Sequence, residues 1–143
     1  MLVRLLYASR SAQPSSQSLL ETILTQSQLH NPTHGITGVL CYSGDIFMQV
    51  LEGGRSEVSA LYNHIAADSR HQGVELLSFE EITERRFAGW TMGQVNLAKV
   101  NPGLLLRYSE KSQLNPFAMS GSSALALLEE LIATAAIVGR SSH

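Results

Sequence analysis

Tyr7 stands in the run LVRLLYAS and Gln49 in the run FMQVLEG, each a polar side chain in the middle of an apolar stretch. A hydroxyl or amide buried without a partner costs about 1–3 kcal/mol, so something must satisfy both groups. A phenol and an amide are not a nucleophile and its base. They can exchange a hydrogen bond, and the amide keeps spare donors and acceptor capacity for a further polar edge. Other groups capable of chemistry are less well placed. Cys41 lies in the apolar run VLCYS with no evident base beside it, and a buried neutral thiol is inert. His30 and His34 have the helical spacing of metal ligands, but Pro32 lies between them, which argues against zinc. Gly53-Gly54-Arg55-Ser56 lacks the lysine of a phosphate-binding loop, and Gly35 with Gly38 makes no dinucleotide fingerprint. Trp90 and Met92, read alone, are core or interface residues.

The elements that must position these residues follow from periodicity. Leu2 to Ala8 reads as a first strand. A helix opens after Pro14, with Ser18 and Glu21 at capping-box spacing and Leu19, Leu20, Ile23 and Leu24 as its apolar stripe. Asn31-Pro32 is expected to break it. Ile36 to Ser43 and Ile46 to Glu52 form a hairpin about Gly44-Asp45. Ser56 is expected to cap a second helix with Val58, Leu61, Tyr62 and Ile65 inward. Asp68 to Gly73 reads as a loop, Val74 to Ile82 as a fourth strand and Thr91 to Leu97 as a fifth. Leu104 to Tyr108 suggests a short helix and Ser122 to Val138 a long one. The order β-α-β-β-α-β predicts an α+β, ferredoxin-like sheet with both helices on one face, an added fifth strand and a C-terminal helical extension. Strand alternation places Tyr7 with Val3 and Leu5, and Gln49 with Phe47 and Leu51. The first and third strands are neighbours in this topology, so the two polar groups can meet on the helix-covered face.

Bulk properties narrow the function. A chain of 143 residues with 44% hydrophobic content is enough for one domain with a real core and a small appendage. A formal net charge of −2 and the lack of a basic run argue against nucleic acid as a partner. One cysteine cannot form an internal disulfide, which suits a reducing cytoplasm. The first residues are too short for a signal peptide, and Glu129 and Glu130 interrupt the last helix, short of the roughly 20 apolar residues that span a bilayer. A soluble, cytoplasmic protein is expected.

Tyr7, then HNPTHGITG, FMQVLEG, DSRH and RRFAGWTMG, in register, closely resembles the BLUF family of flavin-binding blue-light receptors. The resemblance covers about the first hundred residues and implies a BLUF photosensor domain over 1–100, with a helical extension over 101–143 that packs on the sheet or mediates assembly. It implies a flavin between the two helices: FAD, with FMN or riboflavin as alternatives. Asn31 matches the asparagine that bonds the ring's carbonyl and imide edge, and Gln49 the glutamine between the tyrosine and the flavin. Ile23, Ser27, His30, Phe47 and Ile65 match pocket-lining positions; Asp68, Arg70 and His71 match the pocket mouth. Ser9 stands where a small polar residue is common. Asp45 replaces a frequent turn glycine, with Gly44 adjacent, so a changed turn type is expected.

The family's mechanism implies that Tyr7 donates an electron on illumination and a proton follows through Gln49. Recombination leaves no net chemistry but a rearranged glutamine and a small red shift that decays in darkness. Trp90 and Met92 match the family's output pair. The tail resembles that of short stand-alone members, which implies a homo-oligomer signalling to a separate protein, without catalysis of its own and without metal, nucleic acid or membrane. Leu125, Leu128, Leu131 and Ile132 supply the last helix's apolar face. Two other functions fit the fold: a light-independent interaction module, and an acylphosphatase-like hydrolase using Arg10 and Asn31.

Overall fold

The computed structural model describes residues 1–12 and 17–134. Five strands form one sheet in the order β4-β1-β3-β2-β5: β1 Leu2–Ser11, β2 Thr37–Ser43, β3 Ile46–Gly54, β4 His71–Ile82 and β5 Gly93–Asn96. The first four pair antiparallel, and β5 joins β2 in parallel. Helix α1 spans Gln17–His34 and α2 spans Arg55–Ala67. The short α3, Pro102–Leu106, and the longer α4, Gly121–Ala133, follow the sheet. This is the expected ferredoxin-like βαββαβ arrangement with an added strand and a helical extension.

The sheet has a core on each face, because its central strands are apolar on both sides. On one face Val3, Leu5, Tyr7, Phe47 and Leu51 pack with Leu19 and Leu20 of α1 and Val58 of α2. On the other, Leu6, Val39, Cys41, Met48 and Val50 pack with Phe87, Trp90 and with Leu127, Leu128 and Leu131 of α4. Leu125 and Ile132 pack against that cluster from its margin. Gly121 permits the approach of α4, since a Cβ there would lie 2.5 Å from the Leu77 carbonyl oxygen of β4. The part of the last expected helix beyond Thr134 lies outside the described residues.

Several local expectations are corrected. Helix α1 runs through Pro32 to His34. Proline removes one hydrogen bond near a helix end, where carbonyls are already losing partners, so its cost there is small. Ser18 lies inside the first turn rather than at the cap. Gly54, not Ser56, precedes α2, with no side-chain cap, because β3 continues to Gly54 and the helix begins at once. Strand β4 starts at His71, paired with Ser11, so the expected loop is shorter. Strand β5 is shorter than Thr91–Leu97 because the residues before it are held elsewhere: Gly38 N–H donates to the Trp90 carbonyl at 2.9 Å and the Asn31 amide to the Thr91 carbonyl at 3.0 Å. Gly44, at φ +59°, makes the hairpin turn beside Asp45.

Gly38 brings β2 against β3 opposite Leu51, close to Gln49. A Cβ at Gly38 would stand 2.0 Å from the Val50 carbonyl oxygen, so backbone would have to move. Gly38→Ala is expected to lose about 2 kcal/mol of stability, the scale of forced overpacking, measurable as a lower midpoint in urea unfolding.

Candidate functional site

Tyr7 and Gln49 are direct partners in the β1–β3 register. Both are buried, at 0% and 1% exposure, and the Tyr7 hydroxyl donates to Gln49 Oε1. Burial, with the Tyr62 phenol 5.7 Å away ring to ring, pushes the Tyr7 hydroxyl above its ordinary range. The phenol is therefore a neutral donor at physiological pH. On the other side of the amide, Gln49 Nε2 donates to Met92 Sδ at 3.3 Å. The result is a chain of polar contacts from Tyr7 through Gln49 to Met92, enclosed by apolar side chains. Of the expected output pair, Met92 touches Gln49, while Trp90 packs in the cluster on the opposite face of the sheet.

This chain opens onto a cavity of about 550 Å³ between α1 and α2, with Tyr7 and Gln49 in its wall. Ile23, Ser27, His30 and Asn31 of α1 line it, as do Ile65 of α2 and Asp68, Arg70 and His71 at its rim. The structure thus brings together all the expected pocket residues but Phe47. Phe47 is fully buried and meets the His71 ring edge-on at 6.3 Å, so it supports the wall from behind. It faces the same side as Gln49, but lies toward the hairpin end of β3.

Asn31 is the most telling wall residue. It is 1% exposed, its Nδ2 is spent on the Thr91 carbonyl, and its Oδ1 is buried with no hydrogen-bond partner among the described residues. A buried acceptor left open costs about 1–3 kcal/mol unless a ligand or water completes it.

Asp68 and Arg70 close the rim by a side-chain pair, with Arg70 Nε 3.0 Å from Asp68 Oδ1 and the Arg70 backbone N–H 2.9 Å from the same oxygen. The Arg70 hydrogen bonds hold the Asp68 carboxyl down at about 2, against a partial opposing effect of burial. A carboxyl depressed from 3.8 to about 2 stabilises the fold fully above 3.8, and that contribution is lost as pH falls through about 2. The urea midpoint of the parent is expected to exceed that of Asp68→Asn at neutral pH. The gap should close over this acid window; a pH-independent gap would refute the assignment. His71 is held neutral mainly by burial and shares a 2.9 Å hydrogen bond through Nδ1 with Ser9 Oγ. Burial pushes the Cys41 thiol up to about 12, in keeping with an inert core thiol.

The rim also contains residues that sequence reasoning missed. His34 and Glu57 face each other across the opening at 2.7 Å, linking α1 to α2, and the His30 and His34 rings stack at 3.9 Å. Their i, i+4 spacing was the available signal, discounted because Pro32 was expected to end the helix. Among the described residues no group of three His, Cys, Asp or Glu side chains is placed to hold a metal, and no helix is long and apolar enough to cross a membrane. Arg10 lies over the Phe117 ring at 4.5 Å, while Asn31 lines the cavity between α1 and α2, so the two do not form the anion cradle of an acylphosphatase-like site.

A ferredoxin-like sheet whose central tyrosine–glutamine pair opens into a slot between its helices defines the class of fold and site. Comparison with known proteins makes this specific. Residues 2–93 match the family model described as BLUF, sensors of blue light using FAD, and the chain belongs to that family of flavin-using photoreceptors. Photoactivated adenylate cyclase subunit alpha of Euglena gracilis is 37% identical over 84 residues, which is 59% of this chain and 8% of that protein. The blue light- and temperature-regulated antirepressor BluF of Escherichia coli is 30% identical over 87 residues, 61% of this chain and 22% of its own length. The chain thus spans a small part of these relatives. Among solved structures, BlsA in its photo-activated state superposes with a TM-score of 0.82 at 30% identity, covering 100% of both chains. The dark state of the BLUF protein BlrB gives 0.78 at 34% identity, over 94% of this chain and 96% of that one.

Proposed function

We propose that this chain is a photosensory protein, not an enzyme, whose slot holds FAD between α1 and α2 and whose Tyr7–Gln49 pair converts blue light into a hydrogen-bond change. The observation that carries this reading is the joint geometry of the slot: a buried phenol–amide pair in its wall and the open acceptor of Asn31 beside it. The imide edge of a flavin ring offers a donor for Asn31 Oδ1, and its carbonyls offer acceptors for a rearranged Gln49 amide. Ile23 and Ile65 supply apolar walls for a planar ring, as ligand slots generally require. The same slot accommodates FMN or riboflavin, since the proposed contacts are to the ring.

A flavin held there would supply blue-light absorption and a reversible one-electron acceptor. Tyr7 would be the electron donor to it, and the hydrogen bond to Gln49 Oε1 gives the phenolic proton a path out and back. Both return to Tyr7, so nothing is oxidised overall. Gln49 emerges with its amide bonding altered, which releases or reorients its contact with Met92 Sδ. This is a population shift of a local hydrogen-bond network with a reach beyond the pocket. Met92 and Trp90 carry the change towards the sheet's other face, where residues 101–134 of the extension pack; we take 1–100 as the sensor and 101–143 as the extension. Its output goes to a separate signalling protein from a cytoplasmic homo-oligomer.

The test is an absorption spectrum of protein purified in dim light, before and after a blue flash. Yellow protein whose flavin bands shift slightly to the red and recover in darkness is the expected result. Protein that is colourless and takes up no added flavin would refute the reading.

A further inference from the structure

The connection between β4 and β5, residues 83–92, carries Trp90 and Met92 and is tied down at both ends. Near its start lies Glu52 of β3, a carboxylate 0% exposed. Glu52 Oε1 accepts the Phe87 backbone N–H at 2.7 Å, and Oε2 accepts the Arg86 backbone N–H at 3.1 Å and Arg4 Nε at 2.9 Å. A charged acceptor serving two backbone donors and a nearly buried guanidinium is among the stronger forms of hydrogen bonding. Arg85 adds to this end, donating to Thr37 Oγ1 at 3.0 Å and to the Gly35 carbonyl at 2.7 Å. Phe87, fully buried, seats the segment in the core. At the far end the ties are different: besides Gly38 N–H on the Trp90 carbonyl, they are two side-chain amides, Asn31 on the Thr91 carbonyl and Gln49 on Met92 Sδ. Those two amides belong to the proposed flavin site.

The segment therefore has one end held by groups remote from the pocket and one end held in part by Gln49, the group that light would rearrange. Glu52 lies three residues from Gln49 on the same strand, so the Glu52 and Gln49 ties are referred to one rigid element. We infer that Glu52 is a positioning residue for the photocycle: by fixing Arg86 and Phe87 to β3, it holds Met92 against the Gln49 amide and favours return to the dark arrangement. The inference rests on the proposed photosensory reading and adds to it a residue outside the flavin slot. Loosening this end leaves the pocket intact but weakens the pull of Met92 on Gln49, so the illuminated state lasts longer.

Glu52→Gln keeps the shape and one acceptor but turns an amide N–H₂ either towards the Phe87 N–H or towards the donors of Arg86 and Arg4. Arg85→Ala, at a partly exposed side chain, loosens the same end without disturbing the buried carboxylate. Hydrogen exchange on flavin-free protein comes first: Glu52→Gln is expected to speed exchange at the Arg86 and Phe87 amides while the central amides of β1 and β3 keep their protection. In flavin-loaded protein both variants should keep the parent's dark spectrum and red-shift size, with dark recovery slowed about threefold or more. Recovery in both variants within about twofold of the parent, or faster, overturns the inference whatever the exchange shows, as does unchanged exchange at Arg86 and Phe87 in Glu52→Gln. Should Glu52→Gln fail to fold, Arg85→Ala decides by its recovery rate. A parent protein with flavin but no photocycle would instead refute the photosensory reading, which keeps the two failures apart.

Discussion

Gln49→Leu, loaded with flavin, is expected to stay yellow and to lose the light-induced red shift entirely. Leucine fills much of the same volume but offers neither an acceptor to Tyr7 nor a donor to Met92 Sδ, the two bonds that Gln49 makes. With no amide there is nothing to rearrange, so light absorbed in the slot leaves no lasting change. The ring should still bind, because Asn31 and the apolar walls are untouched. The variant is also expected to be less stable by about 1–3 kcal/mol, since the fully buried Tyr7 hydroxyl is left without its acceptor. Tyr7→Phe complements it: the ring still fills the core and the amide is present, but the donor is gone, and the shift should again be absent. Steady-state difference spectra after a blue flash decide both. A normal red shift in Gln49→Leu would show that the amide is not the switch.

The second large effect is expected at Asn31. Its Oδ1 is a buried acceptor without a partner among the described residues, so a ligand that supplies a donor gains a bond already desolvated on the protein's side. Asn31→Ala is expected to weaken flavin binding about 10- to 100-fold, the equivalent of about 1.4–2.8 kcal/mol. It also frees the Thr91 carbonyl, so the segment leading to Met92 should loosen. Titration of flavin-free protein, followed by quenching of flavin fluorescence, measures the loss. Ser27→Ala, on the cavity wall, serves as a control and should change affinity by less than about threefold. An Asn31→Ala protein with that same small change would remove Asn31 from the flavin's hydrogen bonds.

Pro32 and Glu52 show where local reading stops. Proline beside Asn31 is a legitimate sign of a helix end, yet α1 continues through it to His34, packed against the sheet by Leu19 and Leu20. That continuation stacks His34 on His30 and sets it opposite Glu57 at the rim. Glu52, in the run FMQVLEG, carries no sequence sign of burial. Its role exists only because residues 83–92 return to β3 with two backbone donors aimed at it. Likewise nothing in the spacing of Trp90 and Met92 says which faces Gln49, since both lie in an irregular segment without a fixed period.

By itself the sequence determined the element order, the hairpin at Gly44, and the shared face of Tyr7 and Gln49. Each follows from repeats of two or 3.6 residues and from turn chemistry, which act between near neighbours. The motif set extended this to the family, and with it to most of the slot's wall. Only the tertiary structure decided that Met92 rather than Trp90 meets Gln49, that Asn31 keeps an open acceptor, that Phe47 stands behind the wall, and that Glu52 ties the connecting segment. Those outcomes depend on groups 24 to 60 residues apart meeting once water is excluded. No local pattern encodes them, because the burial that enforces them exists only after the sheet and helices have packed.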